Sequence, residues 1–147
     1  MRRFGKIDPE IKYTPRPGSY AVILGEDGLL VTHQAAPDHE FQLPGGGVDP
    51  GESYIQTLHR EVLEETGWRI EPIRKLCIYQ RFVYMPEYDL NAQKLCHIYL
   101  ARAVRDLKTP LEDGHSVFWM SPDQAVAHLA SEGDAMVVAE LFGISLS

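Results

Sequence analysis

The feature that most constrains this chain is a junction, within residues 42–67, between two opposite kinds of backbone. The stretch Gln42-Leu43-Pro44-Gly45-Gly46-Gly47-Val48-Asp49-Pro50-Gly51-Glu52 is broken by glycine and proline outside any periodic pattern. Such a loop can approach a ligand closely and present its own amides and carbonyls. Tyr54 to Thr66 then contains neither glycine nor proline. Ser53 is a natural cap and Gly67 a natural stop, which predicts one helix between them. Ile55, Leu58 and Val62 recur at three- and four-residue spacing and form its apolar stripe.

Beside that stripe lie three carboxylates. At ~100° per residue, Glu61, Glu64 and Glu65 fall within an arc of about 100°, with Glu61 and Glu65 one turn apart. Like charges at this spacing weaken a helix unless something offsets them. A hard divalent ion such as Mg²⁺ takes oxygen ligands and commonly keeps water and substrate phosphate in its shell. The plain alternative is a solvated acidic helix face.

Elsewhere the pattern is one of strands. Ser19–Leu24 reads as a buried strand, Glu26-Asp27-Gly28 as a turn, and Leu29–Thr32 as the second arm of a hairpin. Residues 33–41 read as a loop. Leu76–Tyr84 and Leu95–Val104 read as longer strands, the second apolar on both faces like a central strand, with a polar loop at Met85–Lys94 between them. Val117–Met120 is a further strand. Ser121-Pro122-Asp123-Gln124 starts a helix running to about Ala130, and a last helix spans Ala135–Leu141. Strands that rarely alternate with helices favour an α+β fold, a mixed β-sheet with helices on its faces.

Composition narrows the partners. A length of 147 residues suits one core rather than two. A single domain is expected over 19–147, behind an irregular amino-terminal arm, 1–18, that carries Pro9, Pro15 and Pro17. The formal charge is −7, with 21 acidic against 14 basic residues. That balance makes a poor surface for duplex nucleic acid, where phosphate neutralisation supplies most of the affinity. It also means that a phosphorylated substrate would meet the carboxylates through a cation. Cys77 and Cys96 lie in apolar stretches and read as small buried hydrophobes; neither is part of a CxxC. Tyr20–Leu24 is too short for the apolar region of a signal peptide, and no run approaches ~18 apolar residues. A cytoplasmic protein without a membrane partner is expected, with a homodimer left open.

Reading outward from the helix gives Gly46, five residues, Glu52, seven residues, then Arg60-Glu61-Val62-Leu63-Glu64-Glu65-Thr66-Gly67-Trp68. This matches the Nudix box at every fixed position, including the apolar sites Val62 and Trp68. The chain therefore resembles the Nudix (MutT-like) hydrolases. The resemblance implies a mixed sheet sandwiched between helices, with the box as loop–helix–loop. It implies Mg²⁺ or Mn²⁺ held by Glu61 and Glu65, with Glu64 as a further ligand or base and Gly46 lending its carbonyl. It further implies a Glu52–Arg60 pair that holds the loop against the helix. The implied reaction is attack by water on a pyrophosphate linkage of a nucleoside diphosphate derivative.

Some members of that family carry the base on a later loop, where Glu112 is the candidate, with Asp113 and His115 behind it. Substrate contacts are expected from Phe41, Gln42 and Gly45 near the loop, and from Arg81 and Tyr84. Tyr79, Phe82, Tyr88 and Tyr99 are further aromatics able to stack a base, and Lys94 and Arg102 further cations for phosphate. Tyr84 stands beyond Trp68 much as a downstream tyrosine does in dinucleoside polyphosphate hydrolases. The proline that marks many ADP-ribose hydrolases is absent near Val83. Two alternatives stay open: a sanitising nucleoside triphosphate pyrophosphohydrolase, and a silent nucleotide sensor.

Overall fold

In a computed structural model, residues 1–36 and 38–146 are described. The strands are β1 (Arg2–Phe4), β2 (Thr14–Gly25), β3 (Gly28–Gln34), β4 (Glu40–Gln42), β5 (Gly45–Gly47), β6 (Trp68–Met85), β7 (Leu90–Asp106) and β8 (His115–Met120). The helices are α1 (Tyr54–Thr66), α2 (Pro122–His128) and α3 (Glu132–Phe142), with a 3-10 turn at Pro86–Tyr88. All the strands join one mixed sheet, in the order β1-β6-β7-β2-β3-β4, with β5 on β2 and β8 on β3. Helices cover both faces, so the fold is α+β, a sheet sandwiched between helices.

Strand β7 is central, as its two apolar faces require. It pairs antiparallel with β6 from Trp68↔Asp106 to Met85↔Leu90, and parallel with β2 from Thr14↔Ala92 to Leu24↔Arg102. Cys96, His97, Ile98 and Tyr99 are all buried in succession. One face packs Ala21, Ile23, Leu30, Tyr99 and Ala101 against Leu58 and Val62 of α1. The other packs Val22, Val31, Ile98 and Cys96 against Ala125, Ala135 and Val138 of α2 and α3. Among the described residues no helix is long and apolar enough to cross a membrane.

Four local expectations need correction. The segment 1–18 is not an irregular arm, because β1 pairs parallel with β6 and β2 already begins at Thr14. The prolines hid this, yet they are compatible with it. Pro17 and Ala21 bond toward the β5 side, through Val48 N to Pro17 O and Ala21 N to Pro44 O. Pro15 and Pro17, two apart, therefore lack amides only on that side, and the ladder to β7 survives. Residues 33–41 are not all loop, since β3 runs to Gln34 and β4 starts at Glu40. The loop at Met85–Lys94 shrinks to the short turn at Pro86–Tyr88, as the β6–β7 ladder runs almost to its tip. Ile55, assigned to the apolar stripe, is 40% exposed at the start of α1, and Thr57 is buried in its stead.

Candidate active site

The glycine-rich loop is held as a strand rather than left free. Gly47, Gly46 and Gly45 pair with Gly18, Ser19 and Tyr20 of β2. Gly45 adopts φ 150° and has no room for a side chain, because a Cβ would overlap the Ser19 carbonyl and Tyr20. A Cβ on Gly46 would collide with the Glu61 carboxylate. Glycine is thus required where the loop backbone touches the acidic helix.

Helix α1 is fixed at both ends. Ser53 Oγ accepts from Gln56 N at 3.1 Å, and the Gln56 side chain accepts from Ser53 N at 2.9 Å, a capping box. Gly67 closes the other end at φ 75°, its N–H donating to Leu63 O. With Leu58 and Val62 fully buried, Glu61 and Glu65 are turned toward the loop. Glu65 is only 7% exposed, and its carboxylate accepts a long bond from Gly45 N at 3.5 Å. Burial raises its pKa well above the ordinary carboxylate value, and the charges of Glu61, Glu112 and Glu64 raise it further. Glu61 is raised as well, mainly by burial, with Arg60 pulling the other way.

Arg60 organises the remaining carboxylates. Its Nε and Nη2 donate to the two oxygens of Glu52 at 2.7 and 2.8 Å, the planar fork meeting a carboxylate. Nη1 donates to Glu61 at 2.9 Å and reaches Glu64 at 3.4 Å, while Nη2 also donates to Gly47 O at 3.1 Å. Glu52 further accepts from Asp49 N and Thr57 Oγ1, both at 2.9 Å. Its pKa is accordingly lowered to about 2, chiefly by Arg60. The guanidinium thereby ties the loop to the helix.

A cavity of about 360 Å³ opens beside this cluster. Of the expected residues, Gln42, Gly45, Gly46, Glu65, Arg81, Tyr84 and Glu112 line it, together with Tyr88, Lys94 and His115. Glu112 sits in the loop before β8, 3.6 Å from His115 Nε2. Glu52, Arg60, Glu61 and Glu64 form the layer of α1 and loop beside the cavity and are not on its wall. Phe41 does not reach the cavity: its ring packs on Phe118 at 5.4 Å and on His33 at 4.9 Å. Neighbours on a strand point to opposite sides, so Gln42 facing the cavity turns Phe41 away.

The other aromatic and cationic candidates separate by face. Tyr79 is buried and donates to Asp134 at 2.5 Å. Phe82 packs on Tyr13. Tyr99 belongs to the core beneath α1, and Arg102 pairs with Glu71 at 3.0 Å. Asp113 is exposed and not on the cavity wall. Sequence reasoning missed Arg16, Tyr20 and Glu40, which also line the cavity. Arg16 was concealed in the proline-flanked segment taken for an arm; only the β2–β7 register brings it to the cavity.

Among the described residues no three His, Cys, Asp or Glu side chains are grouped as a ready cage for a metal. Arg60 instead holds Glu52, Glu61 and Glu64, and the Gly45 amide meets Glu65. The donor chemistry nonetheless fits a hard divalent cation. The donors that α1 and the glycine loop offer are all oxygen, and the mutual repulsion of Glu61, Glu64 and Glu65 is what such an ion relieves.

Comparison with known proteins agrees with this geometry. A family model described as NUDIX domain matches residues 14–141. A Bacillus subtilis protein provisionally named an 8-oxo-dGTP diphosphatase is 40% identical over 75 residues, covering 50% of this chain and 49% of that protein. The mitochondrial NAD(P)H pyrophosphatase NUDT13 of Mus musculus is 27% identical over 127 residues, covering 84% of this chain and 35% of that protein. The chain thus spans half or less of the length of these curated relatives. Among solved structures, a NUDIX hydrolase from Nitrosomonas europaea superposes with a TM-score of 0.73 at 25% identity, over 88% of this chain and 90% of the other.

Proposed function

The chain belongs to the NUDIX family, and on that premise we propose that it hydrolyses the pyrophosphate linkage of a nucleoside diphosphate derivative with Mg²⁺, Mn²⁺ being the alternative ion. The products are a nucleotide and a second phosphorylated compound. The observation that carries this reading is the position of Glu65, a buried, mutually repelled carboxylate on the wall of a cavity that also presents Arg81 and Lys94.

Glu61, Glu64 and Glu65, with the Gly46 carbonyl, would hold the ion. When bound, it neutralises charge on the phosphate oxygens and lowers the pKa of a water. The residues do the positioning. Arg60 and Glu52 keep the loop seated on α1, so Gly46 stays against the Glu61 carboxylate. Glu112, whose charge is felt by both Glu61 and Glu65, takes the proton from the attacking water. Glu64, 44% exposed, is the other candidate for that role. The new P–O bond forms as the bridging P–O bond breaks, and the leaving phosphate carries away the electron pair. Arg81 and Lys94 meet phosphate, Gln42 and Gly45 border the nucleotide, and Tyr84 offers its half-exposed ring to a base. The substrate is a small nucleotide rather than duplex nucleic acid.

A substrate panel with Mg²⁺ tests this, comparing wild type with Glu64→Gln and resolving products by chromatography. It includes nucleoside triphosphates, oxidised triphosphates, ADP-ribose, nucleotide sugars and dinucleoside polyphosphates. Hydrolysis of one class, lost in the variant, supports the reading. The similarity to the Bacillus subtilis protein over half of this chain favours oxidised triphosphates as a second reading, and release of inorganic pyrophosphate would select it. Tight binding without turnover on the whole panel would point to a silent sensor and refute the enzyme reading.

A further inference from the structure

Three cations stand side by side on three adjacent strands of the cavity floor. The register places Arg16 of β2 opposite Lys94 of β7, and Lys94 opposite Arg81 of β6. Residues paired across a ladder point to the same face, so all three side chains share one side of the sheet, and all three line the cavity. With strands ~4.8 Å apart, the row spans roughly 10 Å. Like charges directly opposite one another destabilise a sheet, so this row costs stability unless it serves a ligand.

Carboxylates do not offset it by contact. Among the described residues, none of the three cations has a carboxylate oxygen within the 4.0 Å of an ion pair. Asp38, Glu40 and Glu87 line the same cavity, and Glu40 accepts instead from the Gln42 amide at 3.3 Å. Rings steady two of the cations. The Arg16 guanidinium lies 4.9 Å from the centre of the Tyr88 ring, and Lys94 Nζ 5.5 Å from that of Tyr20. A ring face attracts a cation without consuming its N–H donors. Lys94 also bonds the Tyr20 hydroxyl, and buried Asp134 attracts Lys94 and Arg81 from beyond contact. The Arg16 donors and the remaining ones of Lys94 are left for an anion.

The row also lies apart from the acidic cluster. Gly47 pairs with Gly18, and Arg16 is two residues further along β2, ~7 Å away. From this we infer that Arg16, Lys94 and Arg81 form a subsite for a phosphate of the substrate beyond the two joined in the pyrophosphate linkage that is cleaved at the glycine loop. The inference rests on the pyrophosphohydrolase reading and narrows its substrate class. The preferred compound carries an additional phosphate, either as a phosphomonoester on the ribose or as a further unit of the phosphate chain.

Calorimetric titration of the full chain, in Mg²⁺ buffer at fixed ionic strength, tests this without requiring turnover. The probes share one base: AMP, ADP, ATP, and adenosine 2′,5′- and 3′,5′-bisphosphate. The extra phosphate is expected to tighten binding about tenfold or more, over AMP for a bisphosphate or over ADP for ATP, the size of one or two charge-assisted hydrogen bonds. Arg16→Gln and Arg81→Gln, each checked for an unchanged circular dichroism spectrum, should reduce that increment to about threefold or less. AMP itself should bind Arg16→Gln, whose side chain has no other assigned contact with the nucleotide, within about twofold of wild type. A gain seen with a bisphosphate over AMP places the phosphate on the ribose, and a gain seen only with ATP over ADP places it on the chain. Should either arginine variant fail to fold, the other is sufficient. The inference fails if wild type shows no increment, or if the increment survives in the folded variants. It fails equally if AMP and the bisphosphates weaken in parallel, which would mean a general electrostatic effect. Loss of turnover across the substrate panel would overturn the enzyme reading while leaving this increment measurable.

Discussion

Glu65→Gln should make the metal-free protein more stable while removing its activity. The side chain is 7% exposed and, among the described residues, its only hydrogen bond is the long one from Gly45 N, which an amide oxygen can also accept. The substitution is nearly isosteric, so packing against β2 and β5 is retained. What disappears is a charge held against burial and against Glu61, Glu112 and Glu64. Relieving a functional carboxylate of this kind is worth roughly 0.5–2 kcal/mol, or a melting-temperature rise of about 2–6 °C for a domain near 150 residues. The sign follows from the direction of the shift. A carboxyl whose folded pKa is raised binds its proton more tightly when folded, so ionisation costs stability. That cost is absent below the ordinary value of 4.5, grows as pH rises toward the folded pKa, and is complete above it. The stabilisation should therefore vanish near pH 4 and grow as pH rises toward 8. Thermal denaturation in EDTA at pH 4, 6 and 8 measures it. A lower melting temperature at pH 8, or a gain independent of pH, would refute the account. With Mg²⁺ added, wild type should gain stability and the variant much less, and turnover should fall at least about a hundredfold, near 3 kcal/mol of barrier.

Four further outcomes follow from the same geometry. Arg60→Lys keeps the charge but loses the fork to Glu52, so kcat should fall about tenfold or more with little change in KM, read by steady-state kinetics. Because Glu52 is held near pKa 2, the stability it lends is full above about pH 4.5 and is lost as pH falls toward 2; acid titration of Arg60→Lys should show that limb flattened. Glu112→Gln should lower kcat about 10²–10⁴-fold if it is the base, without changing the Mg²⁺-induced rise in melting temperature. Leu58→Ala, at a fully buried position between α1 and the sheet, should cost about 3 kcal/mol in urea unfolding and leave the residual folded enzyme active.

What could be read from the sequence was whatever is decided within a few residues. The Ser53 and Ser121 caps, the Gly67 stop, the buried Leu58 and Val62, and the two-faced β7 all follow from local chemistry and periodicity. What stayed hidden depends on pairing partners far along the chain. Pro15 and Pro17 look like loop residues until β5 is seen on one flank of β2 and β7 on the other. Phe41 looked like a nucleotide contact because its distance from the glycine loop is short in sequence, whereas strand alternation sends it toward Phe118. Tyr79 and Tyr84 are equally aromatic and five residues apart on one strand; only the sheet's partners bury the first and expose the second.

The same dependence on pairing explains how an acidic chain can hold a polyanion. The formal charge of −7 is unfavourable for phosphate at long range. Parallel pairing of β2 with β7, a contact between segments some 80 residues apart, concentrates Arg16, Lys94 and Arg81 on one wall, while α1 brings Glu65 to the same cavity. A substrate entering there meets opposite charge at separate places, cations on the β2–β7–β6 floor and carboxylates beside the glycine loop. Reversing it would take its further phosphate off the cationic row. Orientation is then decided by the fold before any base is recognised, and raising ionic strength should weaken binding while leaving the site of cleavage unchanged.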